Sequence, residues 1–438
     1  MRKLSFSLCA FIALSLNVYA DDTDLKSSFT SNIYPYFAST NWTNGQDFCL
    51  KKETYDKYIE KVNSYNSGSA TITQEEYNEL LGVVTNINNF NLPADNAWKI
   101  FYIVNGQHAY WKVAMGIEGT NGRGTSLDQY TVGRGVGDAA PGKYIRLEKT
   151  ADNAYKLYCN GYYFGDSQNG TNIPLVTDQS KAVSYSFTMV KPGIVALRPY
   201  GSTDDNTYIN DNTINDAGYL QGGTKDTDVS WWRPQPASVE SFTIPLTEIN
   251  GNSYATTCLP FPAKITSANT DYSVKVYYGT REDKANERLY LREITGVVPA
   301  ETPVLLISNQ TGSPKATVSV VADETPSAVN DNKLDGTIRP LQISTTDLSF
   351  GWVTTNGTKV PGFYPTPMYN CLHANKAYIK NPAGAKSVTL AIDDEPSGLQ
   401  PPTATANKTT ATYNILGQRV GADYKGIVIV NGKKILNH

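Results

Sequence analysis

Two early segments of the chain repeat their apolar side chains with the period of a helix. Tyr55, Tyr58, Ile59, Val62 and Tyr65 fall on one helical face, and so do Tyr77, Leu80, Leu81, Val84 and Ile87. Thr73 and Glu76, just ahead of the second set, form a capping box, whose hydroxyl and carboxylate satisfy first-turn amides. Asn66-Ser67-Gly68-Ser69 supplies a turn between the two sets, and Pro93 ends the region. Residues 21–95 therefore predict an antiparallel α-helical hairpin with a Tyr-rich buried stripe.

Beyond Trp98 the period drops to two. Short strands are expected at Ile100–Val104, Ala109–Val113, Tyr144–Leu147, Tyr155–Tyr158, Tyr162–Phe164, Tyr185–Met189 and Val195–Leu197, separated by Gly, Asn and Asp turns. Three stretches share one plan, a strand, a Gly- or Asn-containing turn and an aromatic-rich strand, and Ser230-Trp-Trp-Arg-Pro234 closes the segment 96–237. A third unit, residues 238–392, contains Tyr254–Phe261, Lys275–Gly279, Leu289–Ile294, Val298–Leu306, Gly362–Tyr364 and Leu372–Ile379 as candidate strands. The first and last of these alternate apolar with polar residues, as half-buried antiparallel strands do. Residues 393–410 have no apolar period and read as a linker. In the tail, 411–438, two apolar strands flank Asn431-Gly432, a pair suited to a two-residue hairpin turn. The fold class is thus mainly β, with helices only near the start.

Composition adds the compartment. The first 20 residues carry a basic start at Arg2 and Lys3, an apolar stretch from Leu4 to Leu16 and small residues around Ala20, which is the plan of a signal peptide. Without them the formal charge moves from −3 to −5, too little for a nucleic-acid or anionic-membrane footprint. No later apolar run approaches the roughly 18 residues of a membrane span. Four cysteines remain, Cys49, Cys159, Cys258 and Cys371, and an exported chain permits disulfides among them. Cys258 and Cys371 fall in one predicted unit and are the preferred pair. With 29 tyrosines and 18% charged residues, the profile is that of an extracellular protein with aromatic, hydroxyl-bearing surfaces.

Three resemblances follow from these residues. The threefold recurrence and the terminal Ser230-Trp231-Trp232 resemble a ricin-type β-trefoil, although that family's Gln-x-Trp element is present only in degenerate form, and an irregular β-sandwich remains an alternative. Residues 238–392 resemble a C-terminal β-sandwich module of secreted Bacteroides and Prevotella proteins, a module found beside many different neighbours. Tyr413-Asn-Ile-Leu-Gly-Gln-Arg-Val420 and Gly426–Leu436 resemble the C-terminal sorting domain of Bacteroidetes proteins exported by the type IX (Por) system. That last likeness implies the outer-membrane secretion machinery as a partner and a secreted or cell-surface location; an ordinary closing β-hairpin is the alternative.

Candidate chemistry is sparse. No Gly-x-Ser-x-Gly elbow, Cys/His pair or zinc-ligand spacing is present, so no catalytic residue, cofactor or metal ligand is assigned. Asp204, Asp205, Asn206, Asp211 and Asn212 are dense enough in hard oxygens for Ca²⁺, yet their spacing is not that of an EF-hand, and Asp is a routine turn former in such stretches. Carbohydrate contact is the strongest positive reading, because sugars stack a C–H face on aromatic rings while polar side chains take the hydroxyls. Tyr162-Tyr163 with Asp166, and Trp231-Trp232-Arg233 with Asp228, offer that combination. Adjacent rings in a strand point to opposite faces, so some of these are core. The alternatives are an adhesion protein that binds host or bacterial surface proteins through residues 21–95, and a hydrolase with an unrecognised site.

Overall fold

The structure is a computed structural model that describes residues 22–38, 46–104, 114–119, 130–134, 141–211, 220–365, 371–381, 387–392, 412–414, 419–420, 425–430 and 433–437. The expected signal peptide, the 109–113 strand, the linker 393–410, Asn212 and the Asn431-Gly432 turn lie outside these residues. The chain divides into two units, Met1–Asp393 and Asp394–His438.

The first unit opens with four helices, α1 (Asp22–Asn32), α2 (Tyr34–Ala38), α3 (Lys52–Ser67) and α4 (Gln74–Thr85). The expected hairpin is α3–α4: Gly68 ends α3 with a left-handed φ of 76°, and the Thr73–Glu76 capping box starts α4. Helices α1 and α2 were not anticipated. Leu25, Phe29, Ile33 and Phe37 do recur every four residues, but Ser, Thr and Asp dilute the signal, and Pro35 is tolerated only because it falls in a first turn.

Twelve strands build the middle of this unit in three four-strand repeats. They are β1 (Ala97–Ile103), β2 (Met115–Gly119), β3 (Tyr130–Arg134) and β4 (Ile145–Ala151); β5 (Ala154–Cys159), β6 (Tyr162–Phe164), β7 (Leu175–Val176) and β8 (Ser184–Lys191); and β9 (Ile194–Pro199), β10 (Tyr208–Asp211), β11 (Leu220–Gly223) and β12 (Trp232–Pro236). Antiparallel pairing runs β1–β4–β5–β8–β9–β12 and back to β1, which closes a six-stranded barrel. The central strands of each repeat form a hairpin, β2–β3, β6–β7 and β10–β11. A closed six-stranded barrel with three hairpins, one per repeat, is a β-trefoil.

Strand alternation sorts the barrel's side chains. Phe101, Ile103, Leu147, Leu157, Tyr185, Phe187, Leu197 and Trp232 share one core with Phe29, Phe37, Phe48 and Leu80 of the helical region. Phe48 meets Phe187 edge-on at 4.9 Å, and Asp47 pairs with the buried Lys99 of β1. The helices therefore have no core of their own, and deleting residues 21–95 would uncover the barrel's core as well as remove a candidate adhesive surface. Trp98, Ile100, Tyr144, Tyr158 and Tyr163, on the alternate positions, join Phe242, Phe261 and Val276 of the next region in a second core. Phe261 lies 5.5 Å from Trp98 and 5.0 Å from Tyr144.

That region is the expected sandwich with an additional layer. A small sheet holds β13 (Ser241–Pro245), β21 (Lys315–Val320), β16 (Ala263–Ser267) and β19 (Val297–Val298). A ten-stranded sheet runs β14 (Thr247–Ile249), β15 (Asn252–Cys258), β20 (Pro303–Ser308), β17 (Val274–Asp283), β18 (Arg288–Ile294), β28 (Val388–Ile392), β25 (Thr358–Pro365), β24 (Leu348–Thr355), β27 (Lys376–Ile379) and β22 (Asp335–Thr337). Val304 and Leu306 of β20 face the core shared with the trefoil, whereas Leu305 between them joins Phe363, Leu348 and Ile379 in a third core. Tyr277 of β17 turns to the third core in the same way, between Val276 and Tyr278. Strands buried on both faces read as continuous apolar runs, as Val304-Leu-Leu-Ile307 does. The large sheet rolls round that third core until Asn375, beside β27, hydrogen-bonds the backbone of Cys258 on β15.

Three expectations need correction. The strand expected over Val298–Leu306 is interrupted between Val298 and Pro303, where Glu301 adopts a left-handed φ of 57°, and gives β19 and β20. The strand expected over Leu372–Ile379 is broken, because Asn375 adopts a left-handed φ of 57° and divides β26 (Cys371–Leu372) from β27. The expected Cys258–Cys371 disulfide is absent, and Cys49, Cys159, Cys258 and Cys371 are all free thiols. Cys258 is buried at the end of β15, while Cys371 pairs with Gln342 in a separate two-stranded sheet, β26 with β23 (Leu341–Gln342). Burial pushes the thiols of Cys159 and Cys258 up to about 12, so both should resist modification in the folded protein. A chain starting at residue 21 is expected to titrate as four thiols in denaturant without reductant; a count of two would restore the disulfide.

The second unit is a four-stranded antiparallel sheet in the order β30 (Arg419–Val420), β29 (Thr412–Asn414), β31 (Gly426–Val430) and β32 (Lys433–Asn437). β31 and β32 pair antiparallel, from Gly426 opposite Asn437 to Val430 opposite Lys433.

Candidate functional site

Alternation within β6 separates the three aromatic residues singled out by sequence. Tyr163 is buried: its hydroxyl donates to Glu148 Oε1 at 2.9 Å, and its ring lies 5.1 Å from that of Tyr158. Phe164 is fully buried in the barrel's core. Tyr162 is half-buried and borders an open cleft of about 580 Å³ between the trefoil and the sandwich.

The turn before Tyr162 places it there. Asn160 and Gly161 both have positive φ, 45° and 87°, and connect the paired residues Cys159 and Tyr162 in the manner of a type I′ hairpin. Asn160 Oδ1 accepts from Asn375 Nδ2 at 2.9 Å, which ties the turn to the sandwich. Gly161 is needed for space as well as conformation, since a Cβ there would stand 2.5 Å from Arg339 Cγ. Arg339 crosses the turn with its guanidinium 5.7 Å from the Tyr162 ring centroid. Its backbone carbonyl accepts from the Thr337 hydroxyl, and Pro340 follows it. Among the described residues Arg339 enters no salt bridge.

Across the cleft, Glu301 is held in a left-handed φ of 57° with its backbone N–H on the Leu259 carbonyl at 2.7 Å. Its carboxylate accepts from the Tyr158 hydroxyl at 3.2 Å. Burial, reinforced by that carboxylate, pushes the Tyr158 phenol well above its ordinary range, so it remains a donor at neutral pH. Thr177 and Thr337 complete the polar lining. The cleft thus combines an aromatic ring, a guanidinium with five donors, a carboxylate acceptor and two hydroxyls. It has one carboxylate, where glycoside hydrolysis uses two.

The second expected constellation does not assemble as a patch. Trp232 is fully buried in the barrel's core and donates from Nε1 to the Ile209 carbonyl at 3.0 Å, so it is structural. Trp231, half-buried on the alternate side, donates to the Lys225 carbonyl at 2.7 Å, and Lys191 Nζ stands 4.4 Å from its ring centroid. Arg233 and Asp228 are exposed, and Asp228 starts the short helical turn ahead of Trp231. Asp166 is exposed and accepts from Gln168 rather than lining the Tyr162 cleft. Of the calcium candidates, Asp204 receives Asn206 in a local turn, Asp205 pairs with Arg198 at 3.4 Å, and Asp211 is buried on β10. Among the described residues no three His, Cys, Asp or Glu side chains form a group able to hold a metal ion.

No family model and no curated protein matches this sequence. Among solved structures, the chain is similar to SeviL bound to asialo-GM1 saccharide, with 13% identity, 32% of this chain and 98% of that one covered, and a TM-score of 0.25. The designed threefold-symmetric protein ThreeFoil matches at 13% identity over 31% of this chain and 96% of its own, with a TM-score of 0.25. A mosquitocidal holotoxin matches at 9% identity over 69% of this chain and 36% of its own, with a TM-score of 0.26. The trefoil assignment rests on the closed ring of strand pairs.

Proposed function

We propose that this is an exported, non-catalytic carbohydrate-binding protein whose binding site is the cleft around Tyr162. A β-trefoil by itself does not specify a function. The observation that carries the reading is Tyr162, a half-buried ring at the edge of a roomy cleft, joined there by Arg339, Glu301 and two Thr hydroxyls. Such a set offers a stacking face together with donors and acceptors for the alternating hydroxyls of a neutral sugar. Export is supported by the basic and apolar start of the sequence and by the tail's likeness to type IX sorting domains, which would direct the protein to the cell surface or the medium.

The test is a glycan array probed with the full mature chain, with and without Ca²⁺. Binding in the range of about 10 μM to 1 mM is expected, unchanged by a chelator. Tyr162→Ala and Arg339→Ala should each weaken it by about tenfold or more. Equal binding by both variants would sink the Tyr162 site, and loss in Trp231→Ala alone would move the site to the third repeat.

A further inference from the structure

We propose a second ligand site, in the mouth of the sandwich's rolled sheet, that takes the apolar chain of a neutral amphiphile. It lies on elements distinct from the Tyr162 cleft and does not rest on the carbohydrate reading. The mouth of a rolled sheet is a recurrent place for ligands. Here the open end holds a cavity of about 450 Å³. Most of its apolar wall comes from three strands, Ile307 after Leu305–Leu306 on β20, Val360 and Pro361 on β25, and Leu390 and Ile392 on β28.

A second observation points to the same place. Five large hydrophobic side chains are exposed among the described residues, and two of them adjoin this cavity. Ile392, 47% exposed, lines it directly. Trp352, 44% exposed, stands directly opposite Pro361 in the β24–β25 ladder and so on the face of the sheet that also carries Phe350 and Phe363. The apolar wall therefore continues out of the cavity along the β24–β25 hairpin, and exposed apolar surface of this kind marks a binding groove.

The chemistry of the lining selects the ligand class. Tyr254 and Tyr277 also line the cavity, but both rings are buried, and five aliphatic side chains make the rest of its apolar wall, which suits an alkyl chain. Asn252, Ser273, Asn309 and Thr389 add amides and hydroxyls to the lining. Lys275 is its one cation, and it already pairs with Glu293 at 2.9 Å. An uncharged, hydroxyl-bearing head group matches such a lining better than a carboxylate does.

The probe is N-phenyl-1-naphthylamine, a neutral dye that brightens in apolar sites, titrated into the full chain. A saturable rise is expected, displaced by a monoacylglycerol below its critical micelle concentration. Ser273 and Asn309 are both exposed, so Ser273→Trp and Asn309→Trp can obstruct the mouth without entering a core. Each should weaken dye binding about tenfold while the melting temperature stays unchanged. Non-saturable dye uptake, undiminished binding in both folded Trp variants, or displacement by oligosaccharides and not by the monoacylglycerol would overturn the proposal.

Discussion

Raising the pH above 10 is expected to unfold the main body steeply and cooperatively. Tyr36, Tyr144, Tyr155, Tyr158 and Tyr185 are all buried, and burial is the leading reason that each phenol is held above its ordinary value. For Tyr36 and Tyr155 the folded-state value is about 12. Nearby carboxylates add to the effect, Glu240 for Tyr144 and Glu301 for Tyr158. The hydroxyls of Tyr155 and Tyr185 also donate to buried carbonyls, those of Pro93 and Gly165.

The direction follows from proton linkage. Below pH 10 the phenols are protonated in both states and stability does not respond to pH. Above it the unfolded chain releases protons that the folded protein retains, so stability falls until the folded-state values are reached. Each phenol contributes up to about 1.4 kcal/mol per pH unit, and five together at most about 7 kcal/mol per pH unit. Against a total stability of about 5–15 kcal/mol, the midpoint should fall near pH 11–12. Tyrosinate absorbance should show an early, reversible wave from exposed rings, then a second wave coincident with loss of the circular dichroism signal. All tyrosines titrating near pH 10 with an intact dichroism spectrum would contradict the burial described above.

Trp232→Ala is expected to be the most damaging single substitution among the residues considered for sugar contact. It removes the largest fully buried side chain of the barrel's core and leaves the Ile209 carbonyl without its indole donor. Large-to-small changes of this kind cost about 3–5 kcal/mol, and the stranded carbonyl adds about 1–3 kcal/mol. Trp231→Ala, one residue earlier, removes a half-buried ring outside the cores and should cost about 1 kcal/mol or less. Urea unfolding of both variants separates the two roles; similar losses would show that the neighbours share one environment.

This pair also shows what was legible in the chain and what was not. The period of two across Tyr162-Tyr163-Phe164 and Trp231-Trp232 establishes that neighbouring rings face opposite ways, but not which face is the core. That depends on the helical region, because Phe48 against Phe187 and Lys99 against Asp47 cover the barrel with residues distant in sequence. The α3–α4 hairpin, most of the barrel's long strands and the terminal hairpin were readable because period, caps and turns agree locally. Short hairpin strands such as β7, two residues long, carry too few positions for a period to register. Arg339 and Glu301, which complete the cleft, lie well over a hundred residues from Tyr162; Arg339 belongs to no motif, and Glu301 falls in the Val298–Leu306 segment, which reads as a strand and not as a site. The one local cue was Asn160-Gly161, a turn signal that also makes room for the aliphatic stem of Arg339. Cys258 and Cys371 were paired on domain membership alone, and the roll of the large sheet places them in different sheets.

The central claim is that the protein binds a glycan through Tyr162 and Arg339, and calorimetric titration of the full mature chain with the best array ligand tests it most directly. The account predicts a single weak site, lost by about tenfold or more in both Tyr162→Ala and Arg339→Ala, with the circular dichroism spectrum of the folded protein retained. Undiminished binding in both folded variants would contradict it.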